Sequence, residues 1–346
     1  TVLASSPAQK KILHPYSNSR LEDIATCPTW GVVHLQKRYP TAARSMALEC
    51  GSTMHEMFAA VRIWQLSEIQ KLPDHAQCTG KRIFGAARWN KCWKHCVSYT
   101  DEREQLMELC FSILATAGWK DDENDRTRTM TNMELATIVY IDERLYGMET
   151  WPIYVEDVSN PQSMVGIEQV FDVTLTFEDS KEFRYIGTID GLVIKAPTGQ
   201  YYLDENKTSV RLSQAWRDSF DMKHQITGYC AASTAVFGFR TLRSRVTGLK
   251  IPPSNRGEDC YPFEPIERTE DAIQHWATWL REMAETYEKY KDDFEHAARY
   301  THSCNRYFRT CSLLQFCADT AEGRQIAFNE SMVAAEPSPS ERSIGE

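Results

Sequence analysis

The clearest chemistry in the chain lies in two acidic residues and a lysine on neighbouring strand-like segments. Gly187-Thr188-Ile189-Asp190 ends one segment and Asp204-Glu205-Asn206-Lys207 ends the next. If a turn at Pro197–Gly199 joins two adjacent strands, Asp190 and Glu205 lie side by side. Carboxylates held that close repel unless a cation sits between them, and hard oxygen donors of this kind suit Mg²⁺ or Mn²⁺. Glu205 and Lys207 are separated by one residue, so in a strand both point to one face. An ammonium group there can position and help activate a water, or offset charge on a phosphoryl oxygen. Asp204 points to the opposite face and is not expected to take part. A surface hairpin with a cross-strand salt bridge is the plainer reading of the same residues.

Other residues add to this set. His55, in the helical run HEMFA, has no second histidine at the spacing a zinc-protease helix needs. Gln225 and Tyr229 are four apart on a helix and share a face, where both can hydrogen-bond phosphate or base groups. There are 11 cysteines, an odd number, with no apolar export segment near the first residues. A reducing compartment is therefore expected. Cys304, Cys311 and Cys317 fall within 14 residues. Metal ligands must converge on one centre, whereas structural thiols have no reason to cluster. The intervening segments NRYFRT and SLLQF are not the two-residue knuckles of common zinc sites. Cys27, just before Pro28, is a candidate fourth ligand; three unrelated buried thiols are the alternative. Cys92-Trp93-Lys94-His95-Cys96 is a second possible metal patch, read more simply as packing on a helix.

These groups need elements to hold them. The chain has 346 residues, 42% apolar and 25% charged, with a net charge of −9. That composition excludes wholesale disorder and is long enough for two domains or one enlarged domain. No run approaches the roughly 18 uncharged apolar residues of a membrane span. The acidic balance does not advertise nucleic-acid binding, although a local basic groove can sit on an acidic protein. Residues 1–16 read as a flexible leader. Residues 17–64 hold a short helix capped by Ser19 that stops near Pro28, then a helix opened by Gly51 with Met54, Met57, Phe58, Val61 and Trp64 on one face. Residues 65–160 read as a helical insertion, with KDDENDRTR as a solvated connector. Residues 161–265 carry the alternating runs VGIEQVFDVTLTFE, EFRYIGTIDGLVIKA and YYLDENKTS, an antiparallel meander. A helix over 213–237 and a fourth strand, RSRVTGLKI, follow. Residues 266–333 comprise a long amphipathic helix over 268–300 and the cysteine cluster. A Pro/Ser-rich tail over 334–346 reads as disordered.

In this order the motifs resemble the RecB-like branch of the PD-(D/E)xK nuclease superfamily. They are Gly51…His55, Gly187…Asp190, Glu205-Asn206-Lys207 and Gln225-Ile226-Thr227-Gly228-Tyr229, spread over roughly residues 17–317. Cys27 with Cys304, Cys311 and Cys317 is similar to that branch's iron–sulfur subgroup, which includes AddAB-type nuclease domains and CRISPR-associated RecB-like exonucleases. The wording ENKTS and the cysteine spacing are most similar to phage-encoded relatives. The last three cysteines depart from the AddAB spacing, matching it only in the final gap of five. The resemblance implies an α/β (α+β) fold: a restriction-endonuclease-like core with a central mixed sheet flanked by helices, a helical insertion, and an iron–sulfur staple joining the two ends.

Residue by residue, the resemblance implies that His55, Asp190, Glu205 and the Asn206 carbonyl bind the divalent metal. Lys207 serves the attacking water. Gln225 and Tyr229 contact DNA, and Glu168 stands behind the metal site or occasionally joins it. Cys27, Cys304, Cys311 and Cys317 hold a [4Fe–4S] cluster. A divalent cation in such a site neutralises a phosphate oxygen and acidifies water, and the expected activity is a DNA exonuclease of recombination, repair or replication. Single-stranded DNA is the favoured substrate, since Tyr201, Tyr202, Trp216, Phe220 and Tyr229 surround the motifs and can stack bases. Arg240, Arg243, Arg245 and Lys250 can track phosphates. A helicase, recombinase or replication partner in a bacterial or phage-infected cytoplasm completes the expectation. A DNA-binding adaptor that keeps the fold without the chemistry, and a zinc-stapled structural protein, are the competing readings.

Overall fold

The computed structural model describes residues 3–5, 14–38, 46–71, 99–123, 125–146, 150–152, 166–195, 200–254, 260–262, 266–306 and 309–334. The Cys92–Cys96 patch, the Pro197–Gly199 turn, most of the leader and nearly all of the tail lie outside them. The helices are α1 (Asn18–Thr26), α2 (Pro28–Gln36), α3 (Met46–Lys71), α4 (Tyr99–Thr116) and α5 (Met130–Tyr146). Strands β1 (Ile167–Thr176), β2 (Glu182–Lys195) and β3 (Gln200–Ser209) follow, then α6 (His224–Phe237), β4 (Arg243–Lys250) and α7 (Glu270–Tyr290). The protein is therefore a mixed α/β chain. Among the described residues no helix is long and apolar enough to cross a membrane.

The chain forms two compact units, and two of the four boundaries between them fall inside β1 and β2. One comprises Thr1–Ala43, Val170–Gly187 and Thr269–Glu346. Here Ser17 caps α1, its hydroxyl accepting from the Arg20 amide, so the cap sits two residues before the expected Ser19. The helix ends at Cys27, and Pro28 opens α2 at the position where a missing N–H costs nothing. Gly31 on α2 lies directly against Ile24 of α1, where a Cβ would come within 2.6 Å of the Ile24 side chain. On α7, Thr269 caps the start and Ile273, Trp276, Ala277, Leu280 and Tyr287 are buried as the apolar stripe requires. The helix stops at Tyr290, short of the expected 300, because Phe294 turns into the core on a separate 3-10 turn.

The other unit comprises Arg44–Gln169 and Thr188–Arg268. Helix α3 begins at Met46, so Gly51 lies inside it rather than opening it. It packs on α4, α5 and β3. β2 and β3 pair antiparallel, with Gly191 opposite Asp204 and Lys195 opposite Gln200, as the meander predicts. β4 returns parallel to β3, with Glu205 beside Val246 and Lys207 beside Gly248, so the sheet is mixed. The single helix expected over 213–237 is two. A short turn over Gln214–Asp218 comes first, and the chain then bends so that Phe220 can drop against Ile226 and Val246. After it, α6 closes on Gly238 at φ +74°, a left-handed conformation glycine adopts without penalty.

Candidate functional site

One rung past Gly191–Asp204, the antiparallel register brings Asp190 and Glu205 to corresponding positions on adjacent strands. Asp190 turns toward β3, and its Oδ2 accepts the Asn206 backbone N–H at 2.7 Å. Its Oδ1 lies 3.5 Å from His55 Nδ1, which reaches over from α3. Glu168 Oε1 lies 3.6 Å from the same nitrogen. Glu205 is 2% exposed. The Lys207 ammonium sits 2.5 Å from its Oε1, while its Oε2 has no hydrogen-bond partner among the described residues. The structure thus gathers His55, Glu168, Asp190, Glu205 and Lys207 within the second unit.

Charge follows this geometry. Burial pushes the Asp190 carboxyl up to about 6, with Glu168 adding to the effect and His55, Lys207 and the Asn206 amide opposing it. Burial likewise pushes Glu205 up to about 7, helped by the Asp190 charge and opposed by Lys207. On His55, burial disfavours the charged form. The Asp190 and Glu168 carboxylates outweigh burial and lift the imidazole to about 9. Two buried carboxylates that resist ionisation, one with an unpartnered oxygen, form a site short of positive charge. Among the described residues, His55, Glu168 and Asp190 are the one group of three potential ligands whose donor atoms lie within 4.8 Å of one another. An oxygen-rich set with one imidazole fits Mg²⁺ or Mn²⁺.

Glu168 stands closer to the centre than a supporting role requires. Its φ of +47° is a left-handed conformation unusual for a non-glycine residue in a strand. The alternating pattern of VGIEQVF carries no sign of this bend. Such backbone strain persists only where the surroundings over-determine it, and it clusters at functional sites.

Behind the site lies a polar group the sequence reading left aside. Asp204 does point away from Glu205, but it is buried and pairs with Arg62 of α3 at 2.5 Å. Arg62 also donates to Gln65 at 3.0 Å. Thr247 lies 3.5 Å from Asp204 and Arg245 3.9 Å. Arg245 is therefore buried beside Asp204 rather than tracking phosphates, and Arg243 pairs with Glu267 at 2.8 Å. Gln225 donates to the Tyr229 hydroxyl at 2.9 Å, and Tyr229 is buried. Of the aromatics proposed as base platforms, Tyr202, Phe220 and Tyr229 are core, while Tyr201 and Trp216 are partly exposed.

In the first unit, Cys27 is at once the C-cap of α1 and the N-cap of α2. Its Sγ accepts the Tyr300 amide at 3.5 Å. A two-rung ladder, Asn305 with Thr310 and Arg306 with Arg309, brings Cys311 back to Cys304, whose carbonyl accepts the Cys311 N–H at 2.8 Å. The short helix Leu314–Ala318 carries Cys317. Burial raises the Cys311 and Cys317 thiols. Cys27 and Cys304 add to the rise at both, Cys311 adds to it at Cys317, and the Leu313 amide beside Cys311 and Arg299 beside Cys317 oppose it. Cys27, Cys304, Cys311 and Cys317 are thus neighbours within the first unit, but among the described residues no three of their sulfurs lie within 4.8 Å of one another.

No protein-family profile matches this chain, and no curated protein matches it.

Proposed function

We propose that the protein is a divalent-metal-dependent nuclease of the PD-(D/E)xK type, resembling its RecB-like iron–sulfur branch and acting as an exonuclease on DNA. One observation carries the reading. A buried pair of carboxylates from adjacent strands, Asp190 and Glu205, meets an imidazole and an ammonium group, with Glu205 Oε2 left without a hydrogen-bond partner among the described residues.

Asp190, His55 and Glu168, whose donor atoms already converge, would hold the cation, with Glu205, which stands outside that group of three, and the Asn206 carbonyl as further donors. Such a cation supplies charge neutralisation at a phosphate oxygen and a lower pKa for water. The chain's own part is positional. Asn206 fixes the Asp190 carboxylate through its backbone N–H. Lys207, partly exposed and tethered to Glu205, orients the attacking water in line with the phosphorus and offsets charge that develops on the phosphoryl oxygens. Hydrolysis by this route leaves a 5′-phosphate and a 3′-hydroxyl.

For the cysteines, we read a structural [4Fe–4S] cluster. One tetrahedral zinc, with Zn–S near 2.3 Å, would draw its sulfurs to about 3.8 Å apart. Among the described residues no three of these sulfurs lie within 4.8 Å of one another, so their spacing decides for neither centre and the cluster reading rests on the resemblance of the cysteine order. A cluster shared by Cys27 and the late cysteines closes a long loop and so restricts the unfolded chain.

The test is digestion of end-labelled single- and double-stranded DNA with Mg²⁺ or Mn²⁺, with Asp190→Ala as control. Metal-dependent cleavage lost in the control supports the proposal. No cleavage under any metal, or equal cleavage by the control, overturns it.

A further inference from the structure

What holds the nucleotide beside the scissile phosphate is a separate question, and its answer rests on the nuclease reading. β3 and β4 are parallel and in register, with Lys207 beside Gly248 and Glu205 beside Val246. Paired residues of neighbouring strands project from the same face, and the strands lie about 4.8 Å apart. Gly248 therefore adjoins Lys207 on the face that carries Glu205.

The space where a side chain at Gly248 would stand is already filled. The six-membered ring of Trp216 lies over it, with Cη2 closest and Cζ3 2.7 Å from an ideal Cβ position, and Leu212 Cδ2 is at 2.8 Å. The indole is thus seated about one strand spacing from Lys207. Local contacts hold it there. Ser213 caps the short helix, its hydroxyl accepting the Trp216 backbone N–H, and Phe220 meets the ring edge-on at 5.0 Å and 76°. Phe220, Ile226 and Val246 form the buried cluster behind it.

Position and access separate Trp216 from the other aromatics near the motifs. Phe220, Tyr202 and Tyr229 are buried. Tyr201 is partly exposed, but it packs on Phe239 at 5.0 Å and lies six strand residues before Lys207, roughly 20 Å along β3. Trp216 is partly exposed and adjoins the proposed chemistry.

We propose that Trp216, seated in the notch left by Gly248, is a nucleobase platform. It stacks on the base of the nucleotide flanking the phosphate that Lys207 serves, and so selects strands whose bases are free to present a face. Stacking of a base on an aromatic ring tolerates any sequence, and it demands an unpaired, unstacked base. Single-stranded nucleic acid meets that demand at every position, whereas a duplex meets it only at a frayed end.

The experiment pairs a protein change with a substrate change. Full-length Asp190→Asn protein, which retains an acceptor for the Asn206 amide but should not cut, is titrated into end-labelled single-stranded oligonucleotides. These carry one abasic residue at each of the first four positions in turn, and anisotropy reads the affinity. One position should weaken binding by about tenfold. Adding Trp216→Leu should cost a similar factor on the intact strand and remove the sensitivity to that abasic position. Trp216→Phe should restore part of it, and melting temperatures check that each variant folds. If the abasic penalty persists undiminished in a folded Trp216→Leu protein, or if no position is sensitive in the parent, the platform is refuted while the nuclease reading stands. If the unaltered protein neither binds nor cuts nucleic acid, both fall.

Discussion

Glu205→Gln tests the idea that the site is built around a missing positive charge. Glu205 is held near 7 in the folded protein against 4.5 for an ordinary glutamate. Each factor of ten in proton affinity is worth about 1.4 kcal/mol, so a fully ionised Glu205 costs the metal-free fold about 3 kcal/mol. The sign follows from the direction of the shift. Below 4.5 the carboxyl is protonated in both the folded and unfolded states, and the cost is absent. As pH rises from 4.5 toward 7 the unfolded chain releases the proton while the folded one keeps it, so stability falls. Above 7 the loss is complete. Glutamine removes this pH-dependent cost and introduces a buried amide, whose desolvation of about 1–3 kcal/mol does not vary with pH. The informative quantity is therefore the change in the variant's relative stability between pH 5 and pH 8. It should move in the variant's favour by about 2–3 kcal/mol, read by denaturant unfolding without divalent metal. Saturating Mg²⁺ should then stabilise the parent, by about 2.7 kcal/mol at a hundredfold excess over Kd, and do much less for the variant. A stability difference that is the same at both pH values, or an equal Mg²⁺ response, would sink the argument that Glu205 waits for a cation.

Further consequences are checked more briefly. His55 is lifted from 6.5 to about 9 by its carboxylate neighbours, so its contribution is fully present below 6.5 and lost as pH rises through 9; His55→Ala should cost more stability at pH 6 than at pH 10 in metal-free protein. Lys207→Ala should abolish cleavage while DNA binding persists, as measured by gel digestion alongside anisotropy; undiminished cleavage removes Lys207 from the mechanism. Arg62→Ala leaves Asp204 buried without its nearest cation and should cost about 3–5 kcal/mol in denaturant unfolding; a loss below about 1 kcal/mol would show that Arg245 alone suffices. Cys311→Ala should yield colourless, poorly folded protein from anaerobic purification where the parent is brown; an equally stable variant would show that the cysteine centre is no staple.

The legible part of the structure is the part written in period and turn chemistry. The alternation through EFRYIGTIDGLVIKA and YYLDENKTS defined two strands almost to their observed ends, and the turn residues between them implied the register that aligns Asp190 with Glu205. The stripe from Ile273 marked α7 but overran its end at Tyr290, since its last residue, Phe294, sits on a separate 3-10 turn. What escaped depends on contacts distant in sequence. Nothing local to Glu168 announces a φ of +47°, because a bend that aims one carboxylate at a histidine on another element costs energy locally and is repaid elsewhere. Arg62 reads as one more polar residue of α3 until Asp204 is placed beside it. The break after Asp218 was hidden because the Ser213–Phe237 segment is helix-compatible throughout, and only the seat for Phe220 against Val246 forces the chain to turn.

The run Asp204-Glu205-Asn206-Lys207 concentrates the argument, since it is a polar run in a strand paired on both sides. Buried polar groups in such a place are tolerated when each finds a partner. Alternation sends Asp204 and Asn206 one way and Glu205 and Lys207 the other. Asp204 meets Arg62, with Thr247 and Arg245 close by. Asn206 donates its backbone N–H to Asp190, and its side-chain oxygen accepts the Tyr140 hydroxyl at 3.4 Å. Lys207 reaches the surface and pairs with one oxygen of Glu205. Glu205 Oε2 is the remaining buried acceptor of the run, without a hydrogen-bond partner among the described residues, and it stands near a second buried carboxylate that raises its proton affinity. A protein selected only to fold could replace that glutamate with an apolar residue and gain stability. Keeping it has a physical reason if a cation completes the set, which is why the nuclease reading rests on this oxygen more than on the order of the motifs.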